Sequence, residues 1–192
     1  MRLILIGVAL FGTMAIPAFA HSAMGSADSF GSGVAHPFGG PDHLIAITLV
    51  GLWSALVGGR AIIAWPVSFM AAMLAGFVAA SAGLQLNFVE VAICLSVVLL
   101  GAFVAFEVRV PVMIGASVVS LFAFFHGHAH GAEAAVAKLV PYAAGFSLAT
   151  LALLAAGMGA GLCAKSFAAG TLVRTTGACA ALIGLSLFGG LA

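Results

Sequence analysis

The sequence predicts an all-α integral membrane protein: a cleavable signal peptide followed by a six-helix transmembrane bundle. Three observations carry that reading. Of the 192 residues, 64% are hydrophobic and only 6% are charged, whereas an ordinary soluble domain carries about 25% charged residues. The apolar density then barely drops from residue 36 to the end, and Gly, Pro and polar residues divide it into six lengths, each near the roughly 20 residues that cross a bilayer. Finally, the first twenty residues have the charge, apolar run and small-residue ending of a secretory signal.

That first segment, "MRLILIGVALFGTMAIPAFA", has Arg2, an apolar run to Ile16 and Ala18-Phe19-Ala20 just before His21. Cleavage there makes residues 1–20 the signal peptide and leaves a mature N-terminus outside the inner membrane of a bacterium. An uncleaved first helix is the alternative. Residues 21–35, "HSAMGSADSFGSGVA", are small, Gly/Ser-rich and aperiodic, and read as a flexible periplasmic segment. Residues 36–192 form the transmembrane domain, with spans expected near 37–58, 61–83, 88–108, 111–130, 139–162 and 168–190.

Short cytoplasmic loops are enriched in Lys and Arg. With the mature N-terminus outside, Arg60, Arg109 and Lys165 fall at the three cytoplasmic turns, Arg174 in the cytoplasmic half of the last span, and only Lys138 outside. In this topology the first span begins and the fourth ends on the same membrane face. Each half holds three spans, as a 3+3 inverted repeat requires; the sequence echo is "AGF" at 75–77 and 144–146. Small residues at four-residue spacing, such as Gly157 and Gly161, suit close helix packing.

A net charge of +1 with no Lys/Arg run excludes a nucleic-acid partner. Cys94, Cys163 and Cys179 are isolated in apolar stretches, without a CxxC pair, and read as packing residues. No HExxH, HxxHH, GxSxG or Walker motif occurs, so neither a zinc protease, a membrane di-iron enzyme, a serine hydrolase nor an ATP-driven pump is indicated. The chain is not read as an enzyme.

Five of the six histidines lie in two short stretches, "HPFGGPDHLIAI" (36–47) and "FHGHAHGAE" (125–133). In the first, Pro37 suits the first turn of a span and Pro41 removes a hydrogen bond further in. Asp42 and His43 then sit beside irregular backbone, which is tolerated at membrane depth only where it lines a cavity or is buried. In the second, His126, His130 and Glu133 follow i, i+4, i+7 spacing and share a helix face from which His128 points away, so His128 ranks below them as a candidate metal ligand. Gly127 and Gly131 allow close approach or a helix break.

Together, His36, Asp42, His43, His126, His130 and Glu133 offer imidazoles and carboxylates without thiolate, a set suited to a divalent transition ion. Mutual satisfaction in a helix interface, or a proton relay, is the alternative. Imidazoles bind metal when neutral, so such a site weakens as pH falls below about 6.5. His21 would gain a free α-amine on cleavage and could chelate with it, against a simple free terminus. Glu90 reads as a solvated or interfacial residue, with a pathway role as the other option. Glu107 and Arg109 read as an interfacial pair, and Trp53, Trp65 and Tyr142 as interface or packing aromatics.

At these residues the chain resembles the HupE/UreJ family of hydrogenase and urease accessory proteins, membrane permeases for nickel or, in some members, cobalt. The resemblance runs through the signal peptide, "HPFGGPDHLIAI", "FFHGHAHGAE" and "YAAGFSLAT" in order. It implies metal-binding or translocation roles for His36, Asp42, His43, His126, His130 and Glu133. This chain has Ile47 where many relatives have Met, and Leu154 where many carry a His. The resemblance implies an importer of Ni²⁺ or Co²⁺ as substrate, with no prosthetic group, working in the lipid bilayer for hydrogenase or urease maturation proteins. A non-transporting metal-binding accessory protein and an integral membrane metalloenzyme are the alternatives.

Overall fold

The computed structural model describes residues 29–134 and 139–190. Seven helices make up this part of the chain, and no strand occurs among the described residues. They are α1 (Ser29–Gly39), α2 (Pro41–Val57), α3 (Ala61–Ser81), α4 (Val89–Ala105), α5 (Val112–Glu133), α6 (Leu139–Ser166) and α7 (Gly170–Gly189). The expected signal peptide, His21 and Lys138 lie outside the described residues.

Helices α3, α5, α6 and α7 are each long and apolar enough to cross a membrane, which makes this a multi-pass membrane protein. Helices α1 and α2 meet that test only as a pair, bent by 82°. Helix α4 has 17 residues, or about 26 Å at 1.5 Å per residue, somewhat less than the roughly 30 Å hydrocarbon core.

The segment expected to be flexible is helical from Ser29 onward. Its glycines explain the difference, because they let α1 dock rather than loosen it. A Cβ on Gly33 would run into the Tyr142 carbonyl, and one on Gly145 into the Phe30 carbonyl, so α1 and α6 touch backbone to backbone. Tertiary packing of this kind overrides weak intrinsic helix propensity. Pro37 consequently lies inside α1, not in the first turn of a span. Pro41 takes that place, at the start of α2 behind an extended Gly40, where its missing N–H costs nothing. His43 is therefore the third residue of its helix, much nearer the end of the bundle than its place in a helix begun at Pro37 would put it.

The most extensive pairings are α3 with α5, α2 with α6, and α4 with α7. Exchanging α2, α3 and α4 for α5, α6 and α7 swaps the first two pairs and returns the third to itself, the pattern an inverted repeat requires. Glycines make each contact close: Gly76 and Gly127 join α3 to α5, Gly51 and Gly157 join α2 to α6, and Gly101 faces Gly177. The "AGF" echo does not belong to this pattern. Both copies lie at one end of the bundle, with Phe77 and Phe146 only 5.0 Å apart, whereas inversion would send them to opposite ends.

Trp65, Phe69, Met73 and Phe77, spaced four residues apart on α3, form a buried stripe down the interior. Trp65 packs against Trp53 with ring centres 4.3 Å apart and planes tilted by 42°, and their indole N–H groups donate to the carbonyls of Val112 and Val108. Both are core residues, not lipid-interface anchors. Next to Trp53 opens a cavity of about 260 Å³, lined also by Glu107, Arg109 and Lys165. Glu107 and Arg109 form no ion pair. The Glu107 backbone is left-handed, with φ of 52°, and its carboxylate reaches towards Gly170 at the start of α7, the positive end of that helix. Cys94 is buried as expected, but Cys163 and Cys179 are exposed on the bundle surface.

Candidate metal centre

The 82° bend at Gly39-Gly40 is what brings His36 back over the end of the bundle. Its ring lies 4.6 Å from that of His130, 5.9 Å from that of His43 and 5.9 Å from that of Tyr142. His43 in turn lies 4.8 Å from His126 and 5.0 Å from His130. Four imidazoles from three helices thus form one contiguous cluster.

Helix α5 runs unbroken through Gly127 and Gly131 to Glu133, so the facial argument holds. His126, His130 and Glu133 turn to the cluster, and Glu133 approaches His36 at 3.5 Å. His128, on the other face, bonds through Nε2 to the Leu84 carbonyl at 2.8 Å. It braces the connection between α3 and α4 instead of joining the cluster.

Among the described residues, hydrogen bonds fix which nitrogens are free. The His126 Nδ1–H donates to the Phe122 carbonyl at 2.9 Å, leaving Nε2 buried without a partner. His43 approaches Asp42 through Nδ1 at 3.1 Å and presents a buried, unpartnered Nε2. The Asp42 carboxylate also accepts the His43 backbone N–H at 2.8 Å. An imidazole whose second nitrogen is held by a carboxylate is the arrangement that orients metal-binding histidines. Both nitrogens of His130 are buried and unpartnered.

Buried polar atoms without partners are costly and uncommon, and here they converge. One ligand atom each from His36, His43 and His130 lie within 4.8 Å of one another. Two nitrogens sharing an ion at about 2.1 Å are at most about 4.2 Å apart, so small rotamer changes close this triangle on a metal.

Aromatic rings wall the cluster. Phe146 stacks flat on His130 at 4.7 Å with planes 3° apart, and Phe69 lies 6.1 Å from His126. Tyr142 was read from sequence as an interface or packing residue. Its ring packs on Phe77, Phe146 and His36, and its hydroxyl is buried without a partner among the described residues. Glu90, in the first turn of α4, is exposed.

A helical membrane protein with a buried polyhistidine centre at one end is the class these features define. The HupE / UreJ protein family model matches residues 8–187. Protein HupE of Rhizobium leguminosarum bv. viciae is 39% identical over 179 residues, covering 92% of this chain and 94% of that relative. The chain belongs to the HupE/UreJ family. No solved structure matches it.

Proposed function

We propose that this protein is an inner-membrane permease that imports a divalent transition metal, Ni²⁺ by preference with Co²⁺ as the nearest competitor, for maturation of a hydrogenase or urease. The observation that carries the reading is the convergence of buried imidazole nitrogens without hydrogen-bond partners among the described residues, a costly feature unless something binds there. Family membership supports the transport of nickel or cobalt.

In this reading α2 to α7 are six spans behind a cleaved signal peptide, and the histidine end is periplasmic. Arg109 and Lys165 beside the cavity at the other end, with Arg60 in the adjoining turn, agree with positive residues inside. His36 and Glu133 meet the ion first. His43, His126 and His130 replace part of its hydration shell, with Asp42 holding His43. His21 and Glu90 assist capture from the outer segment and the mouth.

Uptake of radioactive nickel into proteoliposomes with an inside-negative potential tests this. Wild-type protein should accumulate nickel saturably, and His43→Ala and Glu133→Ala should reduce accumulation by at least roughly tenfold, the lower range for losing a metal-site partner. Cobalt and zinc as competitors rank the metals. Nickel binding without accumulation in sealed vesicles would favour a non-transporting accessory protein instead.

A further inference from the structure

Among the fully buried serine and threonine hydroxyls, Thr150 departs from the pattern of Ser54 and Ser96. Ser54 and Ser96, both fully buried, donate to carbonyls three residues back, Gly51 and Ile93; Thr48, Ser81 and Ser117 donate four residues back. Such back-bonding is the local way to satisfy a hydroxyl in a helix. Thr150, also fully buried, instead donates across the interior to the Met73 sulfur, 3.7 Å away. The donation leaves the oxygen lone pairs of Thr150 free and occupies only one side of a weak thioether acceptor.

The depth of this pair follows from the helices. His130, Phe146 and Phe77 form one cluster of packed rings at the histidine mouth. Helices α3 and α5 run towards that mouth and α6 runs away from it. Met73, His126 and Thr150 therefore each lie one turn, about 6 Å, deeper than their partners in the cluster. The α3–α5 contact fixes the register, because a Cβ on Gly127 would strike the Met73 carbonyl. His126 brings an unpartnered Nε2 to this layer.

We propose that Met73 and Thr150 join His126 in a second, deeper binding layer, an N, S, O donor set that receives a partly dehydrated transition-metal dication from the mouth. The inference rests on the permease reading. A thioether is a soft donor, weakly attractive to hard, oxygen-preferring ions such as Mg²⁺, Ca²⁺ and Mn²⁺. The layer thus adds selectivity where the mouth, with its carboxylates, has less. One turn further along α3 and α6 come Phe69 and Leu154, both buried, and beyond them the two buried tryptophans.

The test uses Met73→Leu, which conserves volume, and Thr150→Val, with Thr150→Ser as the hydroxyl-retaining control. Each is measured for nickel binding in detergent and for nickel uptake in proteoliposomes, with and without excess Mn²⁺. Met73→Leu and Thr150→Val should bind nickel at the mouth as wild type does and transport it roughly tenfold more slowly, and Met73→Leu, which loses the soft donor and keeps the oxygen, should become more sensitive to Mn²⁺. Thr150→Ser should transport normally. Retained mouth binding reports the fold; if Met73→Leu loses it, Thr150→Val carries the same expectation. Wild-type transport matched by the folded variants, Mn²⁺ sensitivity included, overturns this inference alone. Wild-type protein that binds nickel and accumulates none overturns the permease reading and this inference with it.

Discussion

His43 depends on Asp42 for its orientation, and that dependence can be measured. The carboxylate holds Nδ1 and the backbone N–H of His43, so Asp42 acts through its neighbour. Asp42→Asn keeps an acceptor but loses the charge, and should weaken nickel binding by roughly tenfold; Asp42→Ala should weaken it further. The double variant Asp42→Ala/His43→Ala should bind no more weakly than His43→Ala alone, because the carboxylate then has nothing to orient. Calorimetric titration of nickel into the detergent-solubilised protein reads this cycle, and additive losses would make Asp42 an independent ligand. At this scale the sequence was most informative on α5, where i, i+4, i+7 spacing separated His126, His130 and Glu133 from His128. It was least informative on Tyr142 and Thr150, since an aromatic or a hydroxyl in an apolar helix has no periodic signature that tells an interior face from a lipid face.

Among the elements, α1 was the one hidden from the sequence. Its Ser and Gly content has the composition of a linker, and only the partner surface on α6 turns it into a helix. That docking positions His36, which predicts opposite outcomes at two glycines of the same short helix. Gly33→Ala would force a Cβ into the Tyr142 carbonyl, whereas a Cβ on Gly39 meets nothing within 4 Å. Gly33→Ala should therefore lift α1 and weaken nickel binding to about the extent of His36→Ala, a loss of roughly tenfold or more, while Gly39→Ala should bind normally. The same titration distinguishes them. The interhelical glycines extend the argument: Gly127→Ala should lower thermal stability in detergent, because its Cβ would meet the Met73 backbone. Gly159→Ala, with open space around it, should leave stability unchanged or slightly higher, as alanine is the better helix former.

Across the whole molecule, the two ends differ in chemistry. One gathers imidazoles and carboxylates; the other holds a tryptophan pair above a cavity edged by Arg109 and Lys165. Buried Phe69, Leu154, Trp53 and Trp65 fill the interior between them, so a cation needs an external force and a moving protein to pass. A membrane potential of about 100 mV supplies about 2.3 kcal/mol per charge, hence about 4.6 for a dication. At 1.4 kcal/mol per tenfold, that sustains a gradient of roughly a thousandfold. If nickel moves as a dication without counter-ions, its steady-state accumulation in sealed proteoliposomes should follow the imposed potential, falling to about the square root of its value when the potential is halved. Potassium diffusion potentials of two sizes, at equal internal and external pH, test this. Accumulation that ignores the potential and follows an imposed pH gradient would mean that protons leave as metal enters. The clustered imidazoles would then carry both ions by turns, since each must lose its proton to bind metal.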